Sequence, residues 1–251
     1  FHGNKTLQTL RITMELAIDA GNSRVKYGVF QEGDLMKVIV REHLTSMDID
    51  EICTENKITS SIICATRTLT PENIAYLHAR KTIILDENTP IPIKNKYRTP
   101  KTLGKDRLAG VIGAHFAFPF ANNVVIDFGT AMTINFINVK GEFLGGNISP
   151  GLKMRLQALH NYTDQLPLTA TDGEFSLYGM DTEQALRNGA IHGIVAEVEY
   201  YRAKYMEMFS PLKIILAGGN SVLVSHFLKD SYVIKPDLVL EGLNEILKTN
   251  A

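Results

Sequence analysis

Ile18-Asp19-Ala20-Gly21-Asn22-Ser23 and Ile126-Asp127-Phe128-Gly129-Thr130-Ala131 are two versions of one pattern in this 251-residue chain. Each residue of the second stretch stands 108 positions beyond its counterpart, and the same offset carries Gly33 onto Gly141 without a gap. Each copy reads as an apolar strand ending in Asp, a glycine turn and a second, alternating strand. Another turn follows, at Glu32-Gly33-Asp34 or Lys140-Gly141-Glu142. A strand that ends in Asp beside a glycine turn sets a carboxylate next to free backbone N–H groups. That combination suits a phosphate and its metal ion. Two such hairpins predict two similar halves facing each other across a nucleotide cleft.

Outward from the first copy, residues 15–18 and 24–30 read as paired strands and 34–40 as a third. A short helix over 48–56 and a compact apolar strand over 61–65 follow. Thr70-Pro71-Glu72 opens a helix, with Thr as N-cap and Pro at the first helical position. Residues 82–85 read as a strand, and 87–100, punctuated by Pro90, Pro92 and Pro100, as a loop. A helix over 106–118 puts Leu108, Val111, Ile112, His115 and Phe116 on one face, with His115 as a core-edge residue rather than a ligand.

The second copy continues with strands over 124–127, 133–139 and 142–145, and a helix from Pro150-Gly151 through 159. A polar stretch covers 161–179. Asp181 then caps a long helix to about 209, with Gln184 three residues on as in a capping box. Gly189 and Gly193 lie one turn apart on it and allow a second backbone to approach; internal packing and a subunit contact both fit. A strand over 213–216 ends in Ala217-Gly218-Gly219-Asn220, and one or two helices finish the chain. The repeated order β-β-β-α-β-α is of the α/β class, in two closely packed units, 14–120 and 121–251. Residues 1–13 lack a signal-peptide core and are set aside as an extension of uncertain status.

Composition narrows the function. Hydrophobic residues make up 45%, enough for a sizeable core, and 26 basic against 27 acidic residues give a net charge of −1. Neither nucleic-acid binding nor attachment to an anionic membrane follows from that balance. The most apolar stretch, 108–126, is interrupted by His115, Pro119 and Asn122-Asn123, so no membrane span is expected. Cys53 and Cys64 have no metal-binding spacing and read as core thiols in a reducing compartment, which points to the cytoplasm. The seven histidines form no zinc-binding pattern.

Four clusters could carry chemistry. In Asp19-x-Gly21-Asn22-Ser23-x-x-Lys26, Gly21 permits a positive φ and an anion close to the backbone, Asn22 and Ser23 offer donors, and Lys26 can reach back as a point charge. Asp19 suits Mg²⁺ held through water. In Asp127-x-Gly129-Thr130-Ala131-x-Thr133, Thr130 suits a terminal phosphate and Asp127 a cation. Gly218-Gly219 after an apolar strand lets a flat ligand lie on the backbone, or simply makes a tight turn. In Gly104-Lys105-Asp106-Arg107, Asp106 is either a helix cap or a hydroxyl-proton acceptor, and Arg107 can fork onto a carboxylate or phosphate.

Together these stretches resemble a known family. Asp19-x-Gly-Asn-Ser-x-x-Lys26, Tyr97-x-x-Pro100, Gly104-x-Asp106-Arg107, Asp127-Phe-Gly-Thr-Ala131, Gly145-Gly-x-Ile-x-Pro-Gly151, Leu166-Pro167 and Ala217-Gly-Gly219 have the order and spacing of type III pantothenate kinases. The resemblance runs from Met14 nearly to the end of the chain. It implies the fold of the actin/sugar-kinase/heat-shock-70 superfamily: two duplicated ribonuclease-H-like domains around an inter-domain nucleotide cleft. It also implies ATP-dependent phosphorylation of pantothenate, the first step toward coenzyme A, in a homodimer. By the resemblance Asp106 is the proton acceptor, and Tyr97, Gly104, Lys105, Asp106, Arg107 and Thr182 contact pantothenate. Asp19, Ala20, Gly21, Asn22, Ser23, Arg24, Val25, Lys26 and Thr130 contact ATP. Asp127 is implied to hold a monovalent cation, potassium or ammonium, with Mg²⁺ accompanying ATP.

The chain departs from the family pattern at Ser23, where Thr is common, and at Asn135, where an acidic residue is frequent. A metal role at Asn135 is therefore not expected. Two rivals stand beside this reading: another small-molecule kinase of the superfamily, and a non-catalytic regulator built on the same nucleotide-binding scaffold.

Overall fold

The computed structural model describes residues 13–228 and 232–250; apart from Thr13, the extension read at 1–13 lies outside them. β1 (Met14–Ala20) pairs antiparallel with β2 (Val25–Gln31), and β2 with β3 (Asp34–Arg41). After α1 (Ser46–Asn56), β4 (Ser60–Ala65) returns parallel to β1. After α2 (Pro71–Ala79), β5 (Ile83–Ile84) lies parallel to β4. β6 (Lys94–Asn95) leaves this sheet for a second one, and α3 (Lys105–Ala117) follows. In the second sheet β7 (Asn122–Phe128), β8 (Ala131–Ile137) and β9 (Glu142–Pro150) are successively antiparallel. Then come α4 (Leu152–Asn161), α5 (Thr182–Met208), β10 (Leu212–Ala217), α6 (Ser221–Ser225), β11 (Val233–Ile234) and α7 (Leu238–Thr249).

The first sheet has the order β3-β2-β1-β4-β5 and the second β11-β10-β7-β8-β9-β6. Without β6, the second repeats the order and strand directions of the first. Five layers result, because each sheet buries both faces. Leu16, Ile18, Val25 and Tyr27 face α1 and α2. Val124, Ile126, Met132 and Ile134 face α4 and α5. Between the sheets lie α3 and α7, in a core that takes Ala17 and Ile62 from one sheet and Val125 and Ile137 from the other. The two helices cross in contact: a Cβ at Gly242 would stand 1.8 Å from the Ala109 carbonyl oxygen, and one at Gly113 would stand 2.6 Å from that of Leu238. Any side chain at either position would separate the helices.

Several local readings change. β9 runs to Pro150 instead of ending near 145, passing through Gly145 at φ +127 and Gly146. Gly146 lies so close to β8 that a Cβ would stand 1.9 Å from the Ile134 carbonyl oxygen, and neither glycine has a side chain to continue the alternation. β6 lies inside the loop expected over 87–100; a two-residue pairing has no period to detect. The positive-φ glycines among the described residues are Gly33, Gly141, Gly145, Gly173 and Gly218, so Gly21 does not use that freedom. Its turn is tight instead: a Cβ there would sit 3.1 Å from the Arg24 carbonyl oxygen.

Candidate active site

Strand alternation decides what faces the middle layer. Ala17 of β1 and Val125 of β7 pack there, so Asp19 and Asp127, two residues further along each strand, turn the same way. Asp106, the second residue of α3, enters the same space from the helix N-terminus. Three carboxylates thus converge from three elements: Asp19 feels the charge of Asp106, and Asp127 the charges of Asp106 and Asp19. Burial pushes Asp19 up to about 6, with the Asp106 charge adding to it; the Cys64 thiol, 3.4 Å from Oδ1, and the charges of Lys26 and Arg67 oppose the shift. Burial, then the charges of Asp106 and Asp19, pushes Asp127 up to about 7 against Lys26. Burial also raises Asp106, restrained by the Arg107 backbone N–H at 2.8 Å and by the Arg107 charge.

Asp106 is not the N-cap of its helix. Gly104 holds that position without a side-chain bond. A Cβ on Gly104 would lie 2.6 Å from Asp106 Oδ1, so a side chain there would crowd the carboxylate. Lys105 Nζ reaches the Pro100 carbonyl at 3.5 Å and Glu87 at 4.0 Å.

The two repeated turns meet. Ser23 Oγ and Thr130 Oγ1 are 2.9 Å apart. Arg67 fastens the first turn, its Nε donating to the Gly21 carbonyl at 2.7 Å and its Nη2 to the Asn22 carbonyl at 3.3 Å. Asn22, Ser23 and Arg24 are exposed, whereas the Ala20 and Val25 side chains are buried against α1 and α2. Only the backbone of those two can face a ligand. Lys26 does not hang over its own turn: Nζ donates to Asp237 Oδ1 at 2.8 Å and to the Pro236 carbonyl at 3.1 Å, just before α7. It therefore bridges from the first sheet to the end of the chain.

At the other end of Asp106, the Arg107 guanidinium lies 5.5 Å over the Tyr97 ring, which stacks on Phe143 with centroids 6.1 Å apart. Arg107 Nε donates to Asn135 Oδ1 at 2.7 Å. Thr182 stands apart from this group of residues in the sequence, exposed in the first turn of α5. Asp181 caps that helix by accepting the Gln184 N–H at 2.8 Å, while Gln184 Oε1 accepts from Met180 N at 3.0 Å. Among the described residues, and apart from its own helix backbone, no atom lies within 4 Å of a Cβ built on Gly189, and Gly193 faces only the Arg155 side chain at 3.0 Å.

Arg67 and Asp237 escape the sequence reading, and Asn135, singled out there only as a departure from an acidic residue, is given no partner. Alternation with Thr133 along β8 would have put Asn135 on the cleft side. Arg67 follows β4, whose end adjoins β1, and no local motif announces it. Asp237 meets Lys26 across 211 positions.

The carboxylates of Asp19 and Asp127 offer hard oxygens, which suit Mg²⁺ and potassium. Gly218 leaves open the space around Asp127: a Cβ there would stand 2.3 Å from Asp127 Oδ1. Among the described residues no three His, Cys, Asp or Glu side chains gather closely enough to form a metal site by themselves. The residues therefore fit cations that keep water and phosphate oxygens as ligands.

The family model for type III pantothenate kinase matches residues 15–204. A type III pantothenate kinase of Bacteroides fragilis is 37% identical over 239 residues, 94% of this chain and 98% of that protein. Another from Phocaeicola vulgatus is 38% identical over 94% of this chain and 99% of its own length. A solved Campylobacter jejuni structure described as a Baf family transcriptional activator superposes with a TM-score of 0.61 at 22% identity, covering 94% of this chain and 98% of its own, which establishes a shared fold. On the motifs, the matched length and these identities, the chain belongs to the type III pantothenate kinase family.

Proposed function

We propose that the cleft transfers the γ-phosphoryl group of ATP to the primary hydroxyl of pantothenate, with Asp106 as the proton acceptor. The observation that carries this assignment is the convergence of Asp106 with the two strand-end carboxylates, Asp19 and Asp127. Phosphoryl transfer has a loose transition state, so positioning and charge stabilisation supply most of the catalysis. Burial raises the Asp106 carboxyl, which makes its ionised form a better base for the hydroxyl proton. Arg107 and Tyr97 hold an anionic part of a substrate beside it. Ser23, Thr130 and the backbone of both turns offer donors to the triphosphate. Asp19 would hold Mg²⁺ through water, and Asp127 a potassium or ammonium ion. When bound, these cations supply positive charge against the phosphate oxygens.

The matching strand orders support reading the chain as duplicated ribonuclease-H-like domains, 14–120 and 121–251. β6 is lent to the second sheet, and α7 returns to pack against the first. The dimer reading draws support from the open surface at Gly189 and from apolar side chains left exposed around α4 and α5, among them Ile148, Leu177, Tyr178 and Met180. Thr182, beside that surface, would then contact the neighbour's pantothenate. The cytoplasm is the compartment in which both substrates and reduced Cys53 and Cys64 belong. Product formation from ATP and pantothenate, followed by mass spectrometry, tests the assignment; ATP turnover indifferent to pantothenate refutes it.

A further inference from the structure

Asn135 and Arg107 are among the few buried polar residues of the middle layer, 1% and 6% exposed. On β8, Thr133 and Asn135 share a face with Ile137, which packs in that layer. Asn135 Nδ2 donates to Thr133 Oγ1 at 3.0 Å, and Arg107 Nε donates to Asn135 Oδ1 at 2.7 Å. A guanidinium can only donate, so the amide oxygen must face Arg107, and Thr133 fixes the amide from its other end. With the Tyr97 ring below it, the guanidinium is held on two sides. Its Nη2 is nevertheless buried without a partner among the described residues. A buried charged donor left unpaired is costly, so this geometry calls for an external acceptor. An amide oxygen orients the guanidinium without cancelling its charge. A carboxylate at 135 would form an internal ion pair and compete with any incoming anion.

We propose that Asn135 is a positioning residue that holds Arg107 oriented, un-neutralised and unpaired at Nη2 for an anionic group of a bound substrate. That group is either the acceptor's carboxylate or a phosphate oxygen of ATP. The inference rests on the kinase reading of this cleft.

Steady-state kinetics of the full chain test it, varying pantothenate at saturating ATP and then ATP at saturating pantothenate. Asn135→Asp keeps the size and adds the competing charge; Asn135→Leu removes the acceptor. Both should raise the same KM by about 10-fold or more, while kcat changes by less than about 3-fold. A rise in the pantothenate KM identifies the carboxylate as the bound anion, and a rise in the ATP KM identifies phosphate. Arg107→Gln is the control. If it leaves both KM values at wild type, the reading of the site itself fails. If it raises one while neither Asn135 variant does, the site stands and the positioning role is overturned. A lower kcat with both KM values unchanged is what mere loss of folded enzyme gives, and it also overturns the role.

Discussion

Ser23 Oγ and Thr130 Oγ1 share a hydrogen bond of 2.9 Å across 107 positions of sequence. The equivalent turns of the two repeats therefore touch, and a triphosphate bound between them, as proposed, would exchange this bond for bonds to its oxygens. Thr130→Val keeps the shape and removes the hydroxyl. The KM for ATP should rise by roughly 5–10-fold with the pantothenate KM unchanged, because a partly exposed hydroxyl contributes about 1 kcal/mol. Initial rates at varied ATP check this; an unchanged ATP KM would reduce the contact to a structural one.

The raised carboxyl groups make a pH prediction of definite sign. Asp127 is pushed up to about 7 and Asp19 to about 6 in the folded protein. Between an unfolded value of about 4 and those values the folded state binds more protons, so these groups cost stability as pH rises. Without potassium or nucleotide, Asp127→Asn should melt above wild type at pH 8, by about 2–4 °C or more, and the difference should vanish near pH 4. Potassium or ammonium, but not sodium, should raise the wild-type Tm at pH 8 and support activity. Identical melting of the two proteins across the range, or equal rates in all three salts, would remove the cation from Asp127.

Thr182 tests the dimer. If each pantothenate site borrows it from the neighbour, Thr182→Ala should raise the pantothenate KM and leave ATP binding alone. Mixing Asp106→Asn subunits with Thr182→Ala subunits should then restore one complete site in each mixed dimer. No recovery of activity on mixing would place both residues of a site in one chain.

Legibility in the sequence followed locality. The hairpins β1–β2 and β7–β8 were readable because an alternating strand, a terminal Asp and a glycine turn are consecutive in the chain. So were the caps, Thr70 with Pro71 and Asp181 with Gln184. β9 was cut short because Gly145-Gly146 erases the alternation, although the backbone still pairs with β8. From local sequence Lys26 belongs to its own turn, since Asp237 is its neighbour only through the packing of α7 onto the first sheet. Gly113 and Gly242 looked ordinary; their need for hydrogen as a side chain exists only where α3 crosses α7. Asn135 stood out as a departure from an acidic residue, but its partner, Arg107, appears only once β8 and α3 are packed. That Asp19 and Asp127 both turn toward the middle layer, from opposite sheets, follows from strand alternation with Ala17 and Val125, and Asp106 joins them through tertiary packing.

The most direct test of the account is formation of phosphopantothenate by the wild type and by Asp106→Asn, at saturating ATP and pantothenate with potassium present. Asn matches Asp in size but cannot accept the hydroxyl proton. Pantothenate-dependent turnover is expected in the wild type and a kcat lower by roughly 10²–10⁴ in the variant, with the same Tm to within a few degrees. A correctly folded Asp106→Asn enzyme with near wild-type kcat would contradict it.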